Sequence, residues 1–251
     1  MDTRVELLKR FYNTMNPRML KLEAEIYGFN FLDALAANDI TLEYGQLSEK
    51  LIQKYKLLNL TEQHLNQFLQ GHINKEYNVC QYFNQIANNI FCFNLDNNYK
   101  VNNTALIPET TLALKTLKQY LEEYALTPLV IASGRGYHTW CRLDTPVDNN
   151  QLFNFSIRIA AKVMASLHEQ GYNYNKIKFS VYPNPRVVTR GSLRLFGSKH
   201  IKTKEFSYVY SSHGLLDETS SWKYFEKYLT SKIIAKDQFL QAHTAVLQEI
   251  Q

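Results

Sequence analysis

The hydrophobic positions of the first 86 residues recur at helical spacing. Val5, Leu8 and Phe11 form one stripe, and Leu47 and Leu51 begin another. Such stripes are typical of helices that pack into a core, and they require no chemistry of their own. We therefore predict a helical N-terminal segment over residues 1–86.

The hydrophobic pattern changes between residues 87 and 212, where short apolar runs alternate with helical stripes. The run at 90–96 turns polar at its end, as a buried strand does at a sheet edge, and Pro108 opens a helix that ends before Pro128. The elements that follow are strands at 129–131 and 137–143, a helix at 150–170, and strands at 177–182 and 186–190. The order strand, helix, strand, strand, helix, strand predicts a split βαβ sheet, with two helices on one face and the other face open to a ligand.

Helical periodicity returns near the end of the chain, from Trp222 onwards. The predicted fold is therefore α+β, a split βαβ (RRM-like) sheet over residues 87–212 flanked by helical N- and C-terminal segments at 1–86 and 213–251. Sheets of this kind carry many unrelated functions, so the order of the elements alone does not identify the activity.

The composition indicates a globular protein. Of the 251 residues, 45% are hydrophobic and 20% are charged, which suits a sizeable core and excludes a disordered chain or a fibre. Every apolar run is interrupted before the ~20 residues that a membrane span needs, and the first residues show no signal-peptide pattern. We expect a cytoplasmic protein with no membrane partner.

The cysteines indicate neither a disulfide framework nor a zinc knuckle. Cys80, Cys92 and Cys141 are odd in number and include no CxxC pair. A metal set of His72 with Cys80 and Cys92 is an alternative, which the wide spacing of these residues disfavours.

Positive charge is concentrated late in the chain. The formal net charge is +5. Residues 176–204 contain no Asp or Glu but carry Lys176, Lys178, Arg186, Arg190, Arg194, Lys199, Lys202 and Lys204. From charge alone, such a run is typical of a solvated face, although it also suits a polyanionic partner.

Two segments carry groups that bind phosphate. Residues 133–140 read Ser-Gly-Arg-Gly-Tyr-His-Thr-Trp, in which the glycines permit a tight turn and Ser133, Arg135 and His138 offer a hydroxyl, a fork of donors and an imidazole. Residues 189–203 concentrate cations, hydroxyls and an imidazole without a carboxylate. The first segment alone also fits a plain glycine turn between strands. Together, the two segments favour an anionic ligand such as a triphosphate.

The motif Ser-Gly-Arg-Gly-x-His-x-Trp at 133–140, followed by Arg-Leu-Phe-Gly-Ser-Lys-His-Ile-Lys-Thr at 194–203, resembles the archaeo-eukaryotic primase superfamily of small primase subunits and primase-polymerases. The resemblance covers residues 88–204. It implies a primase-type catalytic core that makes or extends primers on single-stranded DNA from NTPs or dNTPs, with a helicase or another replication protein as a further partner. It also implies that the nucleotide is bound by Ser133, Arg135, His138, Arg194, Ser198, His200 and Lys202. By the same resemblance His138 is catalytic as well.

The same resemblance implies a site for two divalent ions, Mg²⁺ or Mn²⁺, built from an Asp-x-Asp or Asp-x-Glu strand end and a third carboxylate on a later strand. Here the strand end is Asn94-Leu95-Asp96, and the nearest equivalent of the third carboxylate is Asn184. Asp96 is then the surviving catalytic metal ligand, and Asn94 and Asn184 are weakened ones, because amides remove two negative charges that hard cations favour. The phosphate half of the site is complete and the metal half is not.

Three explanations fit this departure. One is a natural primase-like module that binds nucleotide or nucleic acid without polymerising, as a replication accessory or initiator. A second is a pair of Asp→Asn substitutions introduced to trap a complex. The third is rescue by another acid such as Asp144, which its place past the far end of the hairpin strand disfavours.

A more distant alternative is an RNA-binding domain that shares only the split βαβ sheet. Such a domain stacks bases on exposed aromatic side chains of its central strands. Tyr137 and Trp140 flank His138 and are candidates for stacking. For Phe91 and Phe93, packing in the core is the better interpretation.

Overall fold

The chain folds around two four-stranded antiparallel sheets in a computed structural model that describes residues 2–23, 56–57, 62–98, 107–187, 191–200 and 203–249. The helices described are α1 (Thr3–Phe11), α2 (Glu62–Ile73), α3 (Pro108–Glu123), α4 (Asn149–Glu169), α5 (Glu218–Ser231) and α6 (Lys236–Gln248). The strands are β1 (Asn16–Glu23), β2 (Lys56–Leu57), β3 (Asn78–Tyr82), β4 (Ala87–Asn97), β5 (Leu129–Ala132), β6 (Gly136–Asp148), β7 (Ile177–Tyr182), β8 (Ser192–Arg194), β9 (Tyr210–Ser211) and β10 (Gly214–Leu215).

The central sheet has the strand order β5-β6-β4-β7, and every neighbouring pair is antiparallel. Along the chain β4 is the first of these strands and β7 is the last, and the two lie side by side. Strand β6 lies between β4 and β5. This is the split βαβ arrangement. The α+β fold predicted from the sequence is confirmed.

Helices α3 and α4 cover one face of the central sheet. Helix α3 begins at Pro108, where the missing N–H costs no hydrogen bond, and the Asp148 side chain caps α4 by accepting from the N–H of Asn150. Their apolar stripes, with Leu117 and Phe155 fully buried, pack on the strands in one core that also includes residues of α6. Phe91 and Phe93 belong to this core, as the sequence indicated.

The opposite face of the central sheet is covered over most of its length, so the expectation of an open face is wrong there. Trp140 and Cys92 lie on this face and are fully buried. Phe83 stacks against Trp140, with 6.2 Å between the ring centroids, and against Tyr182, with 6.0 Å. The end of the face that carries Asp96 remains partly exposed.

The N-terminal segment is not purely helical, which corrects the sequence prediction. Helices α1 and α2 form, but strands β1, β2 and β3 build a second sheet with β8 in the order β2-β1-β3-β8. Val79 of β3 and Leu193 of β8 share one core with Val5 of α1 and Phe225 of α5, so the described part of the N-terminal segment packs against the later part of the chain. The predicted strand at 186–190 begins instead as a turn at 186–187. The helical stripe at Leu47 and Leu51 lies outside the described residues.

The three cysteines are buried free thiols. Both ring nitrogens of His72 are engaged by the backbone: Nδ1 accepts from the N–H of Val79 at 2.9 Å, and Nε2 lies 3.0 Å from the carbonyl oxygen of Phe196. Within the described ranges, no three residues of His, Cys, Asp or Glu form a group that could hold a metal ion. In the same part of the chain, no helix has the length and apolar character to cross a bilayer.

The second glycine of the 133–140 motif is required by close packing between strands. A Cβ at Gly136 would lie 1.8 Å from the carbonyl oxygen of Leu95 and 2.9 Å from the Cα of Asp96. We expect Gly136→Ala to lower the free energy of unfolding by about 3 kcal/mol, because the backbone of β4 must move. Gly171→Ala is the control, since its Cβ meets nothing within 4 Å and only the φ of +78° opposes it, at about 1 kcal/mol. Equal losses in urea unfolding would contradict this explanation.

The burial of His72 makes stability depend on pH. Burial lowers its pKa from 6.5 to about 4, and the charge of Arg194 adds to the lowering. Between these two pH values the unfolded chain takes up a proton that the folded chain does not. Stability is therefore complete above pH 6.5 and is lost as the pH falls towards 4, by about 3 kcal/mol from this residue. Urea unfolding at several pH values should show the decline, and a smaller one in His72→Gln.

Candidate functional site

Two rows of polar side chains cross the exposed end of the central sheet. In the outer row, Asp96 of β4 lies between Gly136 of β6 and Lys178 of β7. In the next row, Asn94 lies between His138 of β6 and Ser180 of β7. Directly paired residues of antiparallel strands share a face, so these side chains project to the same side of the sheet.

The turn between β5 and β6 closes the outer row. The N–H of Ser133 donates to the carbonyl oxygen of Gly136 at 2.8 Å, which places Ser133 beside the Asp96 row. The Arg135 guanidinium nitrogen lies 3.9 Å from a carboxylate oxygen of Asp96. The motif at 133–138 and the strand end at 94–96 therefore meet at one place.

Asp96 is largely buried, with 16% of its side chain exposed. Burial raises the pKa of Asp96, because it disfavours the charged carboxylate. The positive charges of Arg135, Lys178 and Arg194 and a hydrogen bond from Asn94 oppose this rise. The carboxylate therefore lies in surroundings that are positively charged.

His138 is a buried imidazole that forms no hydrogen bond within the described part of the chain. Burial lowers its pKa to about 3, with further lowering by the charges of Arg194 and His200. The ring is therefore neutral near pH 7 and presents one N–H donor and one acceptor nitrogen.

Polar atoms of Ser133 and Asn94 at this end of the sheet also lack hydrogen-bond partners in the described chain. They are the hydroxyl oxygen of Ser133 and Oδ1 of Asn94, and both are buried. Since buried polar groups are normally satisfied, these atoms and the His138 ring mark a place for a ligand.

The later basic segment reaches the same turn. A guanidinium nitrogen of Arg194 donates to the carbonyl oxygen of Ser133 at 2.7 Å. Gly134 has a φ of +92°, and a Cβ there would lie 2.7 Å from the Cβ of His200. The glycine thus permits His200 to close on the turn, where its Nδ1 accepts from the N–H of Thr203 at 3.0 Å. Arg194 and His200 are therefore brought to the site, as the sequence suggested.

Other residues named from the sequence are placed elsewhere. Asn184 lies two residues beyond the end of β7, past Tyr182, which pairs with Cys92, and its Oδ1 accepts from the N–H of Arg186 at 3.0 Å. Asn184 therefore does not join the Asp96 and Asn94 rows. The hydroxyl of Ser198 is turned to the carbonyl oxygen of Tyr77 at 3.5 Å and is buried.

Lys202 lies outside the described residues. The two aromatic candidates for base stacking are both buried, Tyr137 at 2% exposure and Trp140 at 0%. Trp140 packs against Phe83, and Tyr137 packs against Tyr210 on the helical face. The stacking role suggested for them is therefore wrong.

Lys178 and Ser180 were missed as site residues. Along β7 the polar residues Lys178, Ser180 and Tyr182 alternate with apolar ones, which is a sequence signal for one polar face. The register against β4, which puts Ser180 and not Asn184 opposite Asn94, is visible only in the structure.

The site residues fit one divalent ion better than a pair. The carboxylate of Asp96 and the unpartnered Oδ1 of Asn94 are two oxygen ligands of the kind that Mg²⁺ or Mn²⁺ takes. Ser180 and Lys178 occupy the facing positions on β7, where a third carboxylate would be needed for two ions. Within the described rows, the acidic ligand set of a two-metal site is reduced to Asp96.

Comparison with known proteins finds similar solved structures. Neither a protein-family model nor a curated protein sequence matches the chain significantly. The fold is similar to the polymerase domain of ligase D from Mycobacterium tuberculosis in complex with DNA, at 9% identity and a TM-score of 0.45, covering 98% of this chain and 88% of that one. It is also similar to the AEP domain of the cyanophage S-2L primase-polymerase, at 14% identity and a TM-score of 0.38, covering 88% and 94%. With both scores below 0.5, the function has to be inferred from the site itself.

Proposed function

We propose that this chain binds a nucleoside triphosphate at the exposed end of the central sheet, as the nucleotide-holding half of a primase-type nucleotidyltransferase. The observation that carries this proposal is the convergence of the buried His138 ring with the Ser133 hydroxyl and Asn94 Oδ1, two buried atoms that have no partner in the described chain. An unsatisfied buried polar group costs about 1–3 kcal/mol. The Ser133 hydroxyl and the His138 N–H can donate to phosphate oxygens, whereas Asn94 Oδ1 only accepts and needs a donor or a cation that arrives with the nucleotide.

The charges around the three groups suit a triphosphate. Arg135 lies 3.9 Å from Asp96, Lys178 pairs with Asp96 across the strands, and Arg194 donates to the carbonyl oxygen of Ser133, so all three cations lie at this end of the sheet. Guanidinium groups match phosphate oxygens with paired, charge-assisted hydrogen bonds. A planar neutral ligand would leave this excess of positive charge uncompensated.

Each residue then has a defined role. Arg135 pairs with phosphate oxygens, while the Ser133 hydroxyl and the N–H of neutral His138 donate to them. Arg194 positions the turn through the Ser133 carbonyl, and His200 lines it from the other side. Ser198 and Lys202 are proposed to belong to the supporting segment.

Nucleotidyl transfer is the second candidate function, favoured by the unpartnered Asn94 Oδ1 beside the Asp96 carboxylate. A bound Mg²⁺ or Mn²⁺ would activate an attacking hydroxyl and neutralise phosphate charge. Asp96 and Asn94 would hold it. With one carboxylate in the described rows, we propose slow primer synthesis or extension on single-stranded DNA. If the site binds nucleotide but does not incorporate it, we propose that the chain acts as an accessory or initiator module with a helicase or another replication protein.

Calorimetric titration with ATP, dATP and AMP tests the binding proposal. Both triphosphates should bind, and AMP should bind much more weakly, because Ser133, Arg135 and His138 are proposed to contact the phosphate chain. We call these three residues the triphosphate cradle. Equal affinity for AMP and ATP would contradict it, as would the absence of binding. Incorporation of labelled nucleotides on primed single-stranded DNA with Mn²⁺ separates slow transfer from binding alone.

A further inference from the structure

We infer that the triphosphate is held by protein cations alone, with the Lys178 ammonium in the place of a metal ion, so that nucleotide binding survives the removal of divalent ions. The inference rests on the proposed function, and it names the bound species as the metal-free nucleotide. It also gives Lys178 a binding role that its exposed position at the end of β7 does not suggest by itself.

The groups around Asp96 carry more positive than negative charge. Asp96 carries one negative charge, and Arg135, Lys178 and Arg194 act on it with one positive charge each. The facing positions Asn94 and Ser180 are neutral. The described end of the sheet therefore has a positive surplus before any ion arrives. Such a surplus favours an anion, so the triphosphate can bind without waiting for a divalent cation.

The position of Lys178 is the second step. Lys178 pairs with Asp96 across β7 and β4, on the face that carries His138 and Ser133, and its side chain is exposed. An ammonium on a flexible stem can reach a phosphate as a point charge. It lies on the strand next to Asp96, the residue that would hold a metal ion. A fixed cation there supplies the same neutralisation without an ion.

Asp96 then has the opposite effect from that of a metal ligand. In a metal-dependent site, removal of the carboxylate weakens nucleotide binding, because the bridging ion is lost. In a cation cradle, the carboxylate only repels the phosphates and competes for Arg135, which lies 3.9 Å away. The two mechanisms therefore predict opposite signs for Asp96→Asn.

Calorimetric titration with ATP, in excess EDTA and again in excess Mg²⁺, tests the inference. We expect similar affinity in both conditions. In EDTA, Lys178→Ala should weaken binding about tenfold or more, as expected for a lost charge-assisted hydrogen bond, and Asp96→Asn should strengthen binding. Lys176→Ala is the matched control. It removes the same charge two residues away from Lys178, and the Lys176 ammonium is paired with Glu109 at 2.6 Å instead of facing the site. Its affinity should stay close to that of the parent.

Three outcomes would overturn the inference. They are binding that appears only with Mg²⁺, weaker binding by Asp96→Asn in EDTA, and equal losses in Lys178→Ala and Lys176→Ala. Each of these leaves nucleotide binding itself in place. Failure of the parent chain to bind ATP in either condition would instead overturn the proposed function. Thermal unfolding of each variant shows whether a loss of binding comes from a loss of folding.

Discussion

Replacing His138 by alanine is expected to weaken triphosphate binding about 10- to 100-fold, the equivalent of the roughly 1.5–3 kcal/mol of one hydrogen bond to a charged group. The effect is large because the ring is buried, has no hydrogen bond within the described chain and lies beside Arg194 and His200. A neutral imidazole in this position has an N–H that can donate to a ligand. Calorimetric titration with ATP measures the change.

Two variants make the His138 experiment decisive. His213→Ala removes an exposed imidazole from the loop between β9 and β10, and it should leave ATP affinity unchanged. His138→Gln retains an N–H donor and should recover part of the loss. Unchanged ATP affinity in a folded His138→Ala protein would remove His138 from the site and weaken the case for a triphosphate cradle.

The double variant Asn94→Asp with Ser180→Asp is expected to raise Mn²⁺-dependent nucleotide incorporation by at least about 10- to 100-fold, since even groups that only support a metal ligand change metal affinity or activity that much. Asn94 and Ser180 pair directly across β4 and β7, so the new carboxylates would lie on the same face as Asp96. Three carboxylates at this edge form the ligand set that two divalent ions require. Primer extension on single-stranded DNA measures the gain.

The control for this variant is Asn94→Asp with Asn184→Asp, the pair that the sequence alone selects. Asn184 lies beyond Tyr182, and its side chain is occupied by the N–H of Arg186, so it should add nothing to Asn94→Asp. A greater gain with Asn184→Asp than with Ser180→Asp would show that the register does not determine the metal site. The absence of product from either variant would leave binding as the function.

Much of the central sheet could be predicted because its pattern is local. The polar end of β4 at Asp96, the proline at the start of α3 and the glycine turn before β6 each leave a signal in a few adjacent residues. The split βαβ order then follows from the sequence of elements.

The second sheet could not be predicted in this way. Strand β1 pairs with β3, and β3 pairs with β8, more than 100 residues later in the chain. Pairing between distant segments leaves no local pattern. This sheet and the packing of Phe83 on Trp140 explain why most of the expected open face is filled. They also confine the candidate site to the end of the sheet.

The phosphate-binding residues of the site could be predicted, whereas the third metal position could not, because only the former are close together in the sequence. Ser133, Arg135 and His138 lie within six consecutive residues, so their proximity follows from one turn. The third metal position depends on the pairing between β4 and β7. A shift of four residues along the chain separates Ser180, which faces Asn94, from Asn184, which does not.

The most direct test of the central claim is a crystal structure of the chain with a non-hydrolysable nucleoside triphosphate. We expect the triphosphate to lie at the end of β4 and the start of β6, with its oxygens within hydrogen-bond distance of the Ser133 hydroxyl, the Arg135 guanidinium and the His138 ring. A triphosphate bound away from the turn at 133–138, with the His138 ring still without a partner, would contradict the account.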